Sequence, residues 1–153
     1  MDGVKWTDVV SAVAASISAL AVILAMLQLR TTKAINQLEF EDGLNKEYRD
    51  LVARIPTKAL LGSGLSPQEY QDAFDELYRY VDLCNQQVFL RRQKRISADV
   101  WGQWCAGIQY NLESMQTFKR AWSDIKSRCD SFKELRKLEE NKFKDDPAQW
   151  EDD

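Results

Sequence analysis

The chain has 153 residues, a formal net charge of −3 and no histidine, so catalytic triads, zincin-type sites and His-containing di-iron sites are excluded. After Lys33 it carries 18 of the 21 basic and 22 of the 24 acidic residues, a net charge of −4, which gives no general attraction to nucleic acid. Its length leaves room for at most one ordinary soluble domain beside an anchor.

An uncharged apolar stretch runs from Val9 to Leu29. A helix of this length is about 30 Å long at ~1.5 Å per residue, which matches the hydrocarbon core of a bilayer. We therefore predict a transmembrane helix, the uncleaved signal anchor of a single-pass membrane protein. A cleavable signal peptide fits less well, because its apolar core is normally ~7–15 residues and a small-residue cleavage site follows it. A buried core helix is the third alternative, and the long uncharged run disfavours it.

The charges that flank this stretch predict its orientation. Lys5 and the amino terminus precede it, partly offset by two aspartates, whereas Arg30 and Lys33 follow it. Because basic flanks tend to stay in the cytoplasm, we expect residues 1–8 outside and the C-terminal domain in the cytoplasm. The expected location is the inner (plasma) membrane.

Three small residues, Ser11, Ala15 and Ala19, recur every four positions within the predicted anchor. Small residues at this spacing let two helices approach closely in lipid, where packing drives association. The spacing predicts self-association or docking to another membrane helix. An alanine-rich anchor also shows such spacing by chance.

Helical periodicity continues beyond the anchor. Residues 30–56 are predicted to form a stalk helix that ends at Pro56, with Gly43 as a place for a kink. A second helix is predicted to begin at Ser66, since a serine N-cap, a proline at the first helical position and Glu69 form the pattern of a capping box.

Residues 66–143 are predicted to form a small antiparallel helical bundle that packs on the stalk, so the fold class is all-α. Ser97 caps the third helix. We expect a break near Ser114 to Thr117, because an unbroken helix from Ser97 to about Lys142 would be ~68 Å long, too long to be buried in so small a domain. The apolar residues at helical spacing are Tyr70, Phe74, Leu77, Val81, Cys84 and Val88, then Trp101, Trp104, Cys105, Ile108, Leu112 and Met115, then Phe118, Trp122, Ile125, Cys129, Phe132 and Leu135.

Residues 144–153 are predicted to be an acidic disordered tail. From Asp145 onward, five acidic residues and no basic ones surround Trp150. Such composition is typical of solvated segments. A short linear motif built on Trp150 is an alternative.

A basic cluster, Arg91, Arg92, Lys94 and Arg95, falls where the second helix is expected to end. If the stalk leads away from the bilayer and an antiparallel helix returns, this cluster comes back near the membrane surface. There it would bind anionic lipid headgroups, at about 1 kcal/mol per cation. A solvated helix end, whose cations complement the carbonyl dipole, explains the cluster equally well.

The remaining candidate sites have simpler explanations. Glu39, Asp42 and Glu47 could share a surface, but ion pairs within the helix explain most of this acidic run, which lacks the pattern of a calcium loop. Trp101, Trp104 and Trp122 are expected in the core. Three cysteines without a CxxC pair indicate buried free thiols, not a zinc site. We therefore predict no catalytic, metal-binding or cofactor-binding residues.

Three motifs carry a resemblance: the segment from Phe40 to Arg49, the WxxW pair Trp101 and Trp104, and an F-x3-W helix followed by Phe132 and Leu135. In these the chain resembles a loosely defined group of bacterial single-pass proteins that pair an N-terminal anchor with a cytoplasmic helical domain of unknown function. The motifs are packing patterns, so the resemblance implies no catalytic residues.

Two functions remain open. The first is a membrane-tethered helical module for protein interaction or regulation, without catalytic activity. The second is an oligomerising, toxin-like or defence-type effector that perturbs the bilayer. The expected partners are the lipid bilayer, anionic headgroups, and a protein partner or second copy that packs on the transmembrane helix; nucleic acid is not expected.

Overall fold

The computed structural model describes residues 6–151, apart from the side chains at positions 7–9 and 12, so most of the predicted exterior segment 1–8 and the last two tail residues lie outside the described residues. The described chain is helical and contains no strand, which confirms the all-α prediction. Its helices are α1 (Trp6–Val52), α2 (Thr57–Leu60), α3 (Pro67–Asp72), α4 (Phe74–Arg92), α5 (Ala98–Ser114), α6 (Gln116–Arg128), α7 (Lys133–Glu140) and a terminal 3-10 helix (Pro147–Gln149).

The chain divides into two compact units, Met1–Glu39 and Phe40–Asp153. The first unit holds the apolar part of α1. The second, which we call the helical unit, begins inside the predicted stalk, because Leu44 and Leu51 of α1 are buried in its core. Helix α1 passes through Gly43 without interruption, so the glycine does not break it.

The second predicted helix begins as expected but is divided in two. The Ser66 side chain accepts a hydrogen bond from the Glu69 N–H, and the Glu69 carboxylate accepts one from the Ser66 N–H, which confirms the capping box. Ala73 then separates α3 from α4 with a ψ of 0°. Helical hydrogen bonds from the Ala73 N–H to Glu69 and from the Leu77 N–H to Ala73 persist. The division is therefore a local change of dihedral angles that keeps the flanking bonds.

The expected break in the third helix lies at Met115. Its ψ of 112° is extended, so α5 ends at Ser114 and α6 begins at Gln116. Met115 itself is buried. This break allows α6 to pack against both α5 and α4.

Helix α4 lies at the centre of the helical unit and contacts α6, α7 and the terminal 3-10 helix. Aromatic rings fill the space between these helices, for example Tyr80 against Phe118 with ring centroids 4.8 Å apart. Trp101 and Trp122 are buried and Trp104 is half-buried, which confirms the core prediction for the tryptophans. The three cysteines are free; Cys84 and Cys105 are buried and Cys129 is half-buried.

The C-terminal segment corrects a prediction, because residues 144–151 are ordered against the helical unit. Asp146 forms a bidentate ion pair with Arg91 of α4, and its Oδ1 caps the 3-10 helix by accepting from the Ala148 N–H. Pro147 is fully buried, and Lys137 lies over the Trp150 ring at 4.9 Å. The acidic composition suggested a solvated tail, but a specific cation 55 residues away binds one of these acids.

The capping box predicts an acid-dependent loss of stability. Lys58 and Ser66 both donate to Glu69 Oε2, at 2.5 Å from Lys58 Nζ and 2.6 Å from Ser66 Oγ, and these bonds lower the pKa of Glu69 from 4.5 to about 2. A carboxyl whose pKa is lower in the folded state stabilises the fold above pH 4.5, and this contribution disappears as the pH falls through 2. Glu69→Gln should therefore reduce the fall in the free energy of unfolding between pH 4.5 and about pH 2. Urea unfolding at a series of pH values measures this.

Glu140→Gln is the matched control for this experiment. Glu140 is exposed, and within residues 6–151 it makes no side-chain hydrogen bond or ion pair. We expect its curve to follow that of the wild type. Parallel curves for Glu69→Gln and the wild type would contradict the assigned role of the capping box.

Candidate functional sites

The apolar part of α1 presents its side chains to the surroundings on every side. Among the described residues this is the one helix long and apolar enough to cross a membrane: the span Val13–Val52 contains an 18-residue window with a mean hydropathy of 1.9 and no buried residue. Successive helical residues point about 100° apart, so the consecutive exposed residues Val22, Ile23 and Leu24 alone cover most of the circumference. A signal sequence passes the same test of length and composition. Within residues 6–151, no other part of the chain covers this surface.

The small residues Ser11, Ala15 and Ala19 are also exposed on this helix. At four-residue spacing they share one face. Their predicted role in helix association stays a prediction.

The basic cluster is only partly available for a ligand. Arg91 is 8% exposed, donates through Nε and Nη2 to Asp146 and through Nη1 to the Ile96 carbonyl oxygen at 2.7 Å. Arg92 forms an ion pair with Glu134 at 2.9 Å. Carboxylates of the chain already bind Arg91 and Arg92, which leaves both guanidinium groups less available to a headgroup. Their predicted headgroup-binding role stays a prediction.

The other two cations of the cluster, Lys94 and Arg95, are exposed. The Arg95 guanidinium lies over the Phe40 ring, 4.4 Å from its centroid. In the adjoining turn, the buried Glu41 carboxylate accepts a hydrogen bond from the Ser97 N–H at 2.6 Å. Headgroup binding by Lys94 and Arg95 stays a prediction.

The acidic run of α1 does not form a metal site in the described part of the chain. Asp42 and Glu47 are exposed in the helical unit, whereas Glu39 belongs to the N-terminal unit. The buried carboxylate of this run is that of Glu41, which the sequence did not single out.

A pocket of about 210 Å³ opens in the helical unit between the C-terminal part of α1 and helices α4 and α5; we call it the neutral pocket. Its floor is buried and its rim is exposed, so solvent reaches it from one side. None of the lining residues is an aspartate, glutamate, lysine, arginine or histidine. The lining residues are Asn45, Tyr48, Tyr80, Cys84, Gln87, Gln103, Trp104, Gly107, Ile108 and Asn111.

Two hydrogen bonds fix the walls of the neutral pocket. The Trp104 indole N–H donates to Asn45 Oδ1 at 3.1 Å, which joins α5 to α1. Asn111 Nδ2 donates to the Tyr80 hydroxyl oxygen at 2.8 Å, which joins α5 to α4. These bonds hold two aromatic rings in place and leave the Asn45 amide nitrogen and the Asn111 amide oxygen without a partner among the described residues.

Burial keeps the titratable groups of the neutral pocket uncharged. Desolvation raises the pKa of the Cys84 thiol to about 12 and raises the pKa of the Tyr80 hydroxyl well above 10. Burial also raises the pKa of Tyr48. All three groups are protonated at neutral pH, so the pocket presents hydrogen-bonding groups without formal charge.

Sequence analysis missed the neutral pocket, because its polar residues come from segments far apart in the chain. One local signal was present: Tyr80, Cys84 and Gln87 recur at steps of four and three, which places a glutamine on a buried helix face. A glutamine at a position where helical spacing predicts an apolar core residue was the signal for a polar group inside the helical unit.

Comparison of the chain with protein-family models, curated proteins and solved structures finds no match. The resemblance to bacterial single-pass proteins therefore stays a prediction, and no function is transferred from a relative.

Proposed function

We propose that this protein is a membrane-tethered module for protein interaction or regulation. Residues 9–29 serve as a single-pass anchor in the inner membrane, α1 continues from it as a stalk, and the helices after it form an antiparallel bundle in the cytoplasm. The single observation that supports the tether is the exposed apolar surface of α1. No residue in its most apolar 18-residue window is buried.

The energetic argument concerns what covers this surface. Removing a Leu, Ile or Val side chain from water is worth about 1.5–3 kcal/mol, and such residues recur along this helix. A helix that is apolar all round is stable either inside a protein core or in lipid. Because its own chain does not bury it, lipid is the surrounding that matches it.

The interaction role rests on how the helical unit uses its charges. Two of its ion pairs join residues that are distant in sequence, Arg91 with Asp146 and Arg92 with Glu134. These pairs join α4 to α7 and to the C-terminal segment, which is a structural use of the charges. A stable surface displayed at the membrane is the function that this arrangement supports best.

Fractionation and a reporter fusion test the tether and its orientation. The full-length protein should stay in the membrane pellet after an alkaline wash, and a green fluorescent protein fused after the C-terminus should fluoresce, as it does in the cytoplasm. Release of the protein by the wash would refute the anchor. The orientation would be refuted if the green fluorescent protein fusion stayed in the membrane but did not fluoresce, and if alkaline phosphatase fused at the same position were active.

An oligomerising effector is the second candidate, and the exposed small residues of the anchor favour it. Under the module proposal, induced expression should leave the membrane potential of the host unchanged, measured with a potential-sensitive dye. Depolarisation by the wild type that Ala15→Leu with Ala19→Leu relieves would instead support the effector. Depolarisation that these substitutions leave unchanged would contradict helix packing as its cause.

A further inference from the structure

One amide side chain that lines the neutral pocket makes no hydrogen bond to another described residue. Gln87 of α4 is 5% exposed, lines the neutral pocket, and makes no side-chain hydrogen bond in the described part of the chain. Its amide nitrogen and oxygen are not sealed from solvent, so water in the pocket satisfies them when no ligand is bound. A ligand that displaces this water has to replace its hydrogen bonds, which selects for a molecule with its own donors and acceptors. Two further lining amides have an atom that makes no hydrogen bond to a described residue, the Asn45 amide nitrogen and the Asn111 amide oxygen.

We propose that the neutral pocket is a binding site for a small, uncharged, planar molecule that carries amide-type donors and acceptors, the chemistry of a free nucleobase or a heteroaromatic amide. Gln87 would hydrogen-bond its amide edge, and the rings of Tyr48, Tyr80 and Trp104 would contact its faces. This site lies within the helical unit and does not depend on the membrane tether.

The lining excludes other ligand classes. An anion or cation would lose its hydration shell in the neutral pocket without meeting an opposite charge, which is costly. A purely apolar ligand would leave the Gln87 amide unsatisfied. The volume of about 210 Å³ is below the ~300–1,000 Å³ typical of pockets for drug-sized ligands, so the ligand is small.

Access to the site is through its exposed rim, which includes Gly107 of α5. A Cβ added at Gly107 meets no other atom within 4 Å, so a larger side chain there is accommodated by the fold and occupies the mouth of the pocket. Gly102, on the same helix, likewise has open space but does not line the neutral pocket. The chain thus offers a blocking position and a matched control.

The experiment measures binding of neutral and charged analogue pairs to the full-length protein in nanodiscs, by saturation-transfer NMR and calorimetry. The probes are nicotinamide against nicotinate, and uracil against orotate; they differ chiefly by a carboxylate and do not dissolve in lipid. We expect at least one neutral member to bind in the millimolar range or tighter, and its charged partner to bind at least about tenfold more weakly.

Two pairs of variants locate the binding. Gln87→Leu should weaken the neutral probe at least about tenfold, because it removes the amide that the probe would hydrogen-bond. It should not lower stability, because Gln87 makes no hydrogen bond to another described residue that the fold would lose. Gln86→Leu, at the exposed neighbour that lies outside the pocket, should bind like the wild type. Gly107→Leu should abolish binding and Gly102→Leu should preserve it.

The outcomes decide the site in either direction. Absence of binding by both neutral probes at millimolar concentration, or equal binding of each charged analogue, overturns the proposal and leaves a hydrated cavity. Binding that survives both Gln87→Leu and Gly107→Leu also overturns it, since the ligand then binds elsewhere. A Gln87→Leu protein that is destabilised would show a structural role for the amide, and Gly107→Leu against Gly102→Leu would then decide.

Discussion

Ile17→Arg combined with Leu20→Arg should move the full-length protein from the membrane pellet to the supernatant of an alkaline wash. Both side chains lie near the middle of the predicted anchor and are 64% and 58% exposed, so neither change disturbs a contact inside the protein. An arginine at the centre of a transmembrane helix costs about 2.5–3.5 kcal/mol, hence ~5–7 kcal/mol for two. Quantitative immunoblotting of both fractions measures the shift.

The control adds the same two charges outside the anchor. Leu61 is 79% exposed and Tyr110 is also exposed, so Leu61→Arg with Tyr110→Arg changes the net charge equally without touching residues 9–29. This variant should remain in the pellet. Equal release of both variants, or retention of the Ile17 and Leu20 variant, would contradict a bilayer as the surrounding of this helix.

Asp146→Asn should lower the free energy of unfolding by about 2–3 kcal/mol. The substitution leaves the Arg91 guanidinium buried without a counter-ion, and breaking a fully buried pair in this way costs about 3–5 kcal/mol. We expect less, because the Asp146 side chain is partly exposed. Urea unfolding of the full-length protein, followed by tryptophan fluorescence, measures the change.

The neighbouring Asp145→Asn removes the same charge from an exposed residue that makes no ion pair within residues 6–151. It should change stability by less than about 0.5 kcal/mol. The bond to Arg91 lowers the pKa of Asp146, so the difference between the two variants should be full above the ordinary pKa of an aspartate and shrink as the pH falls through the lowered value. If the two variants were equally stable at neutral pH, the ion pair between Arg91 and Asp146 would not stabilise the fold as proposed.

Local signals predicted the helical elements well. The capping box at Ser66 and the N-cap at Ser97 fix where helices begin, because their hydrogen bonds lie within one turn. Apolar residues at helical spacing identified the core, because residues three and four positions apart share one helix face. The break at Met115 was predicted from helix length alone. An unbroken helix from Ser97 would have been too long for this small domain to bury its far half.

The errors share one physical cause, which is pairing between residues distant in sequence. Asp146 was assigned to a solvated tail, yet it pairs with Arg91 of α4. Charge composition cannot show which of several acids meets which base. The neutral pocket was missed likewise, because Asn45, Gln87 and Asn111 converge only after three helices pack.

The contact between Asp146 and Arg91 also sets an order of events during synthesis. Arg91 leaves the ribosome 55 residues before its carboxylate does, whereas the apolar stretch of α1 leaves earlier still. If residues 9–29 are the anchor proposed above, translocation machinery meets this hydrophobic segment before the helical unit has received Asp146, the residue that pairs with Arg91. Under the proposed anchor, delivery to the bilayer would precede maturation of the helical unit, and a nascent chain held at the membrane would complete its folding there.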